Sequence, residues 1–248
     1  MVFLLFQYAG AILLGMEKTK GKHIAIVLFG GTGARFGAPI PKQLVGLGGE
    51  PMLIVTLSRF VSSPSVEEII VVAESSTIPV TQGLISVHGF GKIKAVIPGG
   101  KTRQESARLG LEYLRQAETA DHDLVMIADG DRPNVSETII RRSYEKAEEV
   151  GAAVVAIKVT DSVFVENGKA ASSYLDREHV YLAQTPQTFR FKTIYRAHRK
   201  LAHKIFTDDA SLLVKLHKQV AIVPGSPLNL KITTPKDIDA YLAIKEAK

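Results

Sequence analysis

His23-Ile24-Ala25-Ile26-Val27-Leu28-Phe29-Gly30-Gly31-Thr32-Gly33-Ala34-Arg35-Phe36-Gly37-Ala38-Pro39-Ile40-Pro41-Lys42-Gln43 passes from an apolar run into a glycine-rich turn. The run reads as a buried parallel strand, because strands covered on both faces lose the polar alternation of half-exposed ones. The glycines after it let the backbone turn tightly and bring bare N–H groups close to a ligand. Arg35 and Lys42 add two fixed positive charges just beyond, and oriented amides followed by cations suit a polyphosphate. The glycine order is neither G-x-x-x-x-G-K-[ST] nor G-x-G-x-x-G, since Gly37 falls one place late for the second. Taken alone, the loop reads as a phosphate cradle or as a plain tight turn.

Outward from this stretch, the same strand pattern repeats. Glu68 to Ala73, Lys92 to Ile97, Asp123 to Ala128 and Ala152 to Val159 are further apolar runs. Helical segments are expected between them. One starts at Pro51, where proline suits a first turn. Another starts after Thr102, with Glu105 completing a capping box, and a third opens at Ser136-Glu137 and runs to about Val150. The βαβα alternation predicts an α/β fold, a three-layer, doubly wound, mostly parallel sheet with helices on both faces. Ligands bind such sheets outside the carboxyl ends of the strands. The glycine-rich loop, the Gly99-Gly100 turn and Asp129 all fall at such ends.

Beyond the fifth run, Asp161 to Ala170 alternates around Asn167-Gly168, a hairpin signal. This hairpin has no core of its own for Val163 and Val165, and reads as a surface flap or as an arm gripping a second subunit. Later expectations are a helix starting near Thr207-Asp208-Asp209, short strands at Val220 to Val223 and Asn229 to Ile232, and a final helix opened by Thr234-Pro235. The seven histidines, His198 and His203 among them, show no partner motif and read as surface residues.

Composition sets outer bounds. The chain has 248 residues, 46% hydrophobic and 23% charged, with a net charge of +6. That is ample for one domain with a substantial core, read here as residues 21–248 with an arm at about 160–178. No cysteine is present, which excludes disulfides, thiolate metal sites and a cysteine nucleophile. The basic residues are scattered and tryptophan is absent, so small anionic substrates are favoured over nucleic acid. Residues 1–20 form an apolar extension that is too broken by Gln7, Tyr8 and Gly10 for a membrane span and lacks the basic start of a secretory signal. They are set apart from the core, and a cytoplasmic enzyme without a membrane partner is expected.

The ordered motifs resemble the 2-C-methyl-D-erythritol 4-phosphate cytidylyltransferases of the non-mevalonate isoprenoid pathway, and their relatives that use ribitol 5-phosphate. The resemblance is carried by Gly31-Thr32-Gly33-Ala34-Arg35 with Pro41-Lys42-Gln43, Gly99-Gly100 with Arg103 and Ser106, and Asp129 with Arg132-Pro133. It continues through Asp161-Ser162, Asp176-Arg177, Gln184-Thr185-Pro186-Gln187, Thr207-Asp208-Asp209 and Asn229-Leu230-Lys231-Ile232-Thr233. It implies a Rossmann-like nucleotidyltransferase that dimerises through the hairpin arm and moves CMP from CTP to a polyol phosphate.

By the same resemblance Arg35, Lys42 and Lys231 are the catalytic cations. Phe29, Gly30, Gly31, Gly99, Gly100 and Ser106 hold CTP. Arg132, Thr185 and Thr207 contact the acceptor, with Ser162 and Arg177 reaching in from a partner's arm. Asp129 sits by a Mg²⁺ ion. Two departures bear on the acceptor: Gly30-Gly31 is more like the ribitol-phosphate relatives, whereas Asp176-Arg177 and Gln184-Thr185-Pro186-Gln187 are more like the methylerythritol enzymes. Asp131 adds a carboxylate beside the expected metal site, to ligate a second ion, raise a neighbouring pKa or pair with Arg132. Asp129-Gly130-Asp131 also matches the D-x-D of nucleotide-sugar glycosyltransferases, a reading the Arg35 and Lys42 pair opposes. A nucleotide-binding module without turnover is the remaining reading, and the Arg35, Lys42 and Lys231 set opposes it.

Overall fold

Every second residue of the first strand faces the opposite side of a sheet, and both sides are filled. The strand is β1 (His23–Phe29) of a computed structural model that describes residues 21–30, 36 and 40–246. Ala25, Val27 and Phe29 join one buried cluster, and Ile24, Ile26 and Leu28 join another. The apolar run without alternation is thus the signature of a strand sandwiched between helical layers.

The remaining strands are β2 (Gly46–Leu47), β3 (Glu50–Pro51), β4 (Glu68–Ala73), β5 (Ile93–Pro98), β6 (Leu124–Asp129), β7 (Ala152–Lys158), β8 (Val163–Asn167), β9 (Ala170–Leu175), β10 (Tyr181–Arg190) and β11 (Ala221–Pro224). The helices are α1 (Met52–Val61), α2 (Ile78–Val87), α3 (Arg103–Gln116), α4 (Glu137–Val150), α5 (Phe191–Lys200), α6 (Asp209–Lys215) and α7 (Pro235–Glu246). Seven strands form one sheet in the order β11-β7-β10-β6-β1-β4-β5. All its neighbours are parallel except those of β10, which runs antiparallel to both β6 and β7.

One face of the sheet packs on α1 and α4 through Leu53, Leu57, Phe60, Ile140 and Tyr144. The other packs on α3, α5 and α6 through Leu111, Leu114, Phe191, Ile194 and Leu212. Each such side chain, fully buried, contributes roughly 1.5–3 kcal/mol. A smaller cluster of Phe36, Leu47, Met52, Ile232 and Tyr241 fastens α7 and the segment before it beside the first loop.

The reversed strand is what the sequence does not announce. No strand is expected at Gln184 to Phe189, yet β10 spans ten residues and enters the sheet between β6 and β7. Its direction brings its early residues to the carboxyl ends of the parallel strands. The expected strand at Asn229 to Ile232 is absent. Asn229 is fully buried, but its amide nitrogen bonds Gln184 Oε1 (3.1 Å) and the Thr185 carbonyl (2.9 Å). The Ile232 N–H donates to the Asp131 carbonyl (2.8 Å), so the segment is tied to loops and not to a ladder.

The hairpin forms as expected, with Val163 opposite Leu175 and Asn167 opposite Ala170, and with Gly168 at φ 73°. It stands off the body: Phe164, Val165, Tyr174 and Leu175 are all exposed, and Phe164 meets the Tyr174 ring edge-on.

Candidate active site

Four strand ends and one helix start converge on a single cavity of about 500 Å³. β1 delivers Gly30, β4 leads to Glu74, β5 leads to Gly99-Gly100, and β6 delivers Asp129. Helix α3 starts beside them because the Thr102 hydroxyl accepts the Glu105 N–H (3.1 Å), a cap that stabilises a helix by about 1 kcal/mol. The capping box is displaced by one residue, since the Glu105 carboxylate takes the Lys101 N–H (2.8 Å).

Ser106 is the joint of the cavity floor. Its hydroxyl donates to the Thr102 carbonyl (3.0 Å) and accepts the Gly100 N–H (3.1 Å). A Cβ on Gly30 would stand 2.8 Å from this oxygen, and one on Gly99 would stand 3.0 Å from it. Glycine at both positions is therefore a requirement of close approach, and the exposed edge of this floor is backbone.

The cationic rim is built as internal ion pairs. Asp129 Oδ1 accepts from Arg103 Nε (2.7 Å) and Oδ2 from Lys231 Nζ (2.8 Å). Its backbone N–H donates to Thr185 Oγ1 (3.0 Å), the contact that the reversed β10 makes possible. Burial raises the carboxyl pKa of Asp129, but Arg103 and Lys231 outweigh it and hold the group well below the usual carboxylate range.

Lys42 donates to Asp131 Oδ2 (2.6 Å) and to the Ile232 carbonyl (2.9 Å). The partner of Asp131 is thus Lys42, with Lys231 at 3.9 Å, and not Arg132. Arg132 instead donates to the Asn229 carbonyl (2.6 Å) and lies 3.9 Å from Asp129 Oδ2. Asp131 Oδ1 is buried without a hydrogen bond among the described residues, a spare acceptor on the rim.

Two lysines on flexible stems, oriented main-chain donors and a carboxylate edge make a site for a phosphorylated ligand of high negative charge. Among the described residues no histidine or cysteine lines it, and its Ser106 hydroxyl donates to a carbonyl and not to a base. Residues 23–246 match the family described as IspD, 2-C-methyl-D-erythritol 4-phosphate cytidylyltransferase. The chain belongs to this family.

A 2-C-methyl-D-erythritol 4-phosphate cytidylyltransferase of Geobacter metallireducens is 40% identical over 217 residues, 86% of this chain and 93% of that protein. One of Syntrophus aciditrophicus is 38% identical over 236 residues, 92% of this chain and 99% of that protein. Among solved structures, 4-diphosphocytidyl-2C-methyl-D-erythritol synthase of Anaerococcus prevotii superposes with a TM-score of 0.80 at 28% identity, covering 91% of this chain and 97% of that one. The cytidylyltransferase of Thermus thermophilus gives 0.71 at 29% identity, covering 89% and 98%. The protein is accordingly a nucleotidyltransferase of the cytidylyltransferase family.

Set against the residues expected from the cytidylyltransferase motifs, the cavity gathers Gly30, Lys42, Gly99, Gly100, Ser106, Asp129 and Lys231. Thr185 lies directly behind Asp129, and Phe29 packs its ring over Gly130, where a Cβ would come within 2.3 Å. Gly31 and Arg35 lie outside the described residues. Thr207 is exposed just before the Asp208 cap of α6 and does not line the cavity. Ser162 and Arg177 are exposed at the base of the arm, where Arg177 donates to the Thr160 carbonyl (3.0 Å).

A second expectation is overturned here. His198 is not on the surface: it is 1% exposed, and its Nε2 lies 2.9 Å from Asp209 Oδ1. Asp209 Oδ2 in turn accepts from Arg103 Nη1 (2.8 Å). Sequence reasoning gave neither Arg103 nor Asp209 a role in the site, and the only signal for His198 was its place on the apolar face of α5.

Proposed function

We propose that the protein transfers the cytidylyl group of CTP to 2-C-methyl-D-erythritol 4-phosphate and releases pyrophosphate. The observation that carries this reading is the cavity itself. A backbone-lined floor at Gly30, Gly99, Gly100 and Ser106 meets a rim of lysines held on carboxylates, in a chain of the cytidylyltransferase family.

A phosphate oxygen of the acceptor attacks the α-phosphorus of CTP. A new P–O bond forms, the bond to the β-phosphate oxygen breaks, and the electron pair leaves with pyrophosphate. No protein atom is covalently modified, so the work is positioning and charge neutralisation. The edge of the pyrimidine is read by main-chain groups of the floor and Ser106, which line the cavity. Lys42, with Arg35 from the same loop, neutralises the α-phosphate and the leaving group, and Lys231 neutralises the reacting phosphates from the other side. Arg132 and Thr185 stand on the acceptor side, with Thr207 nearby in sequence to α6.

A divalent ion fits this rim. Among the described residues no group of three or more His, Cys, Asp or Glu forms a metal cage, but magnesium shared with phosphates needs only one or two carboxylates. Asp129 and Asp131, whose Oδ1 accepts no hydrogen bond among the described residues, would supply them. When bound, magnesium lends positive charge to the phosphate oxygens.

The exposed aromatic and aliphatic side chains of the arm favour a homodimer in which Ser162 and Arg177 reach the partner's acceptor site. Among the described residues no helix is long and apolar enough to cross a membrane, and the scattered positive charge favours small anions over nucleic acid. Both fit an enzyme working in the cytoplasm.

The test is pyrophosphate release from CTP and Mg²⁺ with 2-C-methyl-D-erythritol 4-phosphate, ribitol 5-phosphate or no acceptor. Turnover with the methylerythritol substrate is expected. Turnover confined to ribitol 5-phosphate overturns the acceptor assignment, and none with either overturns the reaction.

A further inference from the structure

A chain of hydrogen-bonded side chains runs from the core into the cavity, and its inner half is sealed. His198 Nε2 meets Asp209 Oδ1 at 2.9 Å, Asp209 Oδ2 meets Arg103 Nη1 at 2.8 Å, and Arg103 Nε meets Asp129 Oδ1 at 2.7 Å. Both His198 and Asp209 are 1% exposed. The other imidazole nitrogen has no hydrogen bond among the described residues, so the ring is held from Nε2 alone. Gln187 braces the pair from β10, its Oε1 accepting the N–H groups of Asp209 (3.1 Å) and Ala210 (2.8 Å).

The two cations hydrogen-bonded to Asp129 are held differently. Arg103 is gripped at two points by two carboxylates, one of them anchored in the core by His198. Lys231 has one hydrogen bond, to Asp129 Oδ2, and a longer ion pair with Asp131 Oδ1 (3.9 Å), and its side chain is 35% exposed. A planar guanidinium caught in a fork is fixed in place, whereas an ammonium on a four-carbon stem turns freely.

We propose that Asp209 and His198 are positioning residues which lock Arg103 as the permanent counter-ion of Asp129, and so release Lys231 for the substrate phosphates. If Arg103 were loose, Asp129 would hold Lys231 as its main partner, and the lysine would answer the incoming anion poorly. This inference rests on the cytidylyl transfer proposed above.

The experiment compares Asp209→Asn, His198→Gln and His198→Leu with the parent protein, by steady-state kinetics and by amide-type ¹⁵N NMR of the arginine Nε–H. Asp209→Asn keeps shape and removes the charge that holds Arg103. Its kcat is expected to fall about tenfold or more, toward the ~100-fold that a ~1 Å misplacement produces. Its KM for CTP changes less than about threefold, because the groups of the floor are untouched. His198→Gln, which still donates to Asp209, stays near the parent, and His198→Leu falls with Asp209→Asn. The Arg103 Nε–H signal, slow to exchange in the parent, exchanges fast in Asp209→Asn and His198→Leu.

Leu212→Ala, a buried change on α6 outside this chain of hydrogen bonds, controls for stability. If it lowers kcat as much as Asp209→Asn at an equal loss of melting temperature, the positioning role is refuted. It is likewise refuted if a folded Asp209→Asn keeps its kcat or its slow Nε–H exchange. Should Asp209→Asn not fold, the contrast of His198→Gln with His198→Leu decides by the same readings. A parent protein without turnover bears on the reaction, while the NMR reading still judges the lock.

Discussion

Adding one methyl group to Gly30 tests whether the cavity floor is a base-binding edge. In Gly30→Ala the new Cβ stands 2.8 Å from Ser106 Oγ, whereas ordinary contact begins near 3.4 Å. The serine oxygen must retreat by several tenths of an ångström, or the loop must rise by as much. The retreat stretches the Gly100 N–H bond, now 3.1 Å, and the bond to the Thr102 carbonyl, now 3.0 Å. One neutral hydrogen bond lost is a net loss of about 1 kcal/mol, which lowers the melting temperature of a domain of this size by roughly 2–4 °C.

The effect on CTP is expected to be larger. The methyl occupies the gap where the base edge lies, and Gly100 loses the oxygen that orients it. Two misplaced hydrogen bonds, at about 1–1.5 kcal/mol each, raise KM for CTP by roughly 30–150-fold. The assay pairs thermal melting with KM for CTP at saturating acceptor. Gly30→Ala with Ser106→Gly relieves the clash but removes the hydroxyl and both of its hydrogen bonds, so the pair recovers neither the melting temperature nor the KM. A Gly30→Ala protein with unchanged KM would refute the placement of the base at this floor.

Three further outcomes follow from the same geometry. Lys42→Ala lowers kcat much more than it weakens CTP binding, by a hundredfold or so against a few-fold; equal losses in a titration and in turnover remove its transition-state role. Asp129 and Asp209 both have pKa values held below the ordinary carboxylate value of about 4 by their cationic neighbours. The unfolded chain therefore takes up protons first as pH falls below that value, and the stability these groups supply is complete above it and is lost beneath it. Urea melts between pH 5 and pH 2 should show a steep acid loss that Asp129→Asn flattens; an unchanged slope contradicts the assignment. Phe164→Ser with Tyr174→Ser removes the exposed apolar face of the arm, and gel filtration with light scattering should then report monomers of low activity. Fully active monomers would remove the arm from the working site.

Much of this was legible because the signals are local. Buried strands without alternation, the Thr102 cap, the Ser136 cap and the Asn167-Gly168 hairpin each depend on residues a few positions apart. Helix α2 gave no clear pattern, and its apolar residues Val80 and Val87 in fact face solvent. Leu230-Lys231-Ile232 looks like a strand by propensity, but the segment spends its polar groups on Gln184, Thr185 and Asp131, all distant in sequence. His198 lies seven residues after Phe191 and four after Ile194, on the buried stripe of α5. Its histidine identity argued for the surface, and only the fold brings Asp209 to it. Lys42 and Asp131 likewise meet across 89 residues, a pairing no spacing rule encodes.

Lys42 and Lys231 are not bare. Among the described residues Lys42, Arg103, Arg132 and Lys231 face Asp129, Asp131 and Asp209, so these cations are already engaged by carboxylates in the resting cavity. A polyphosphate that enters does not settle on waiting positive charge; it trades partners with carboxylates already in place. Its affinity is then a difference between two sets of ion pairs, and dissolved salt weakens both sets together. Binding of the anion accordingly varies less with ionic strength than binding to an open basic surface would.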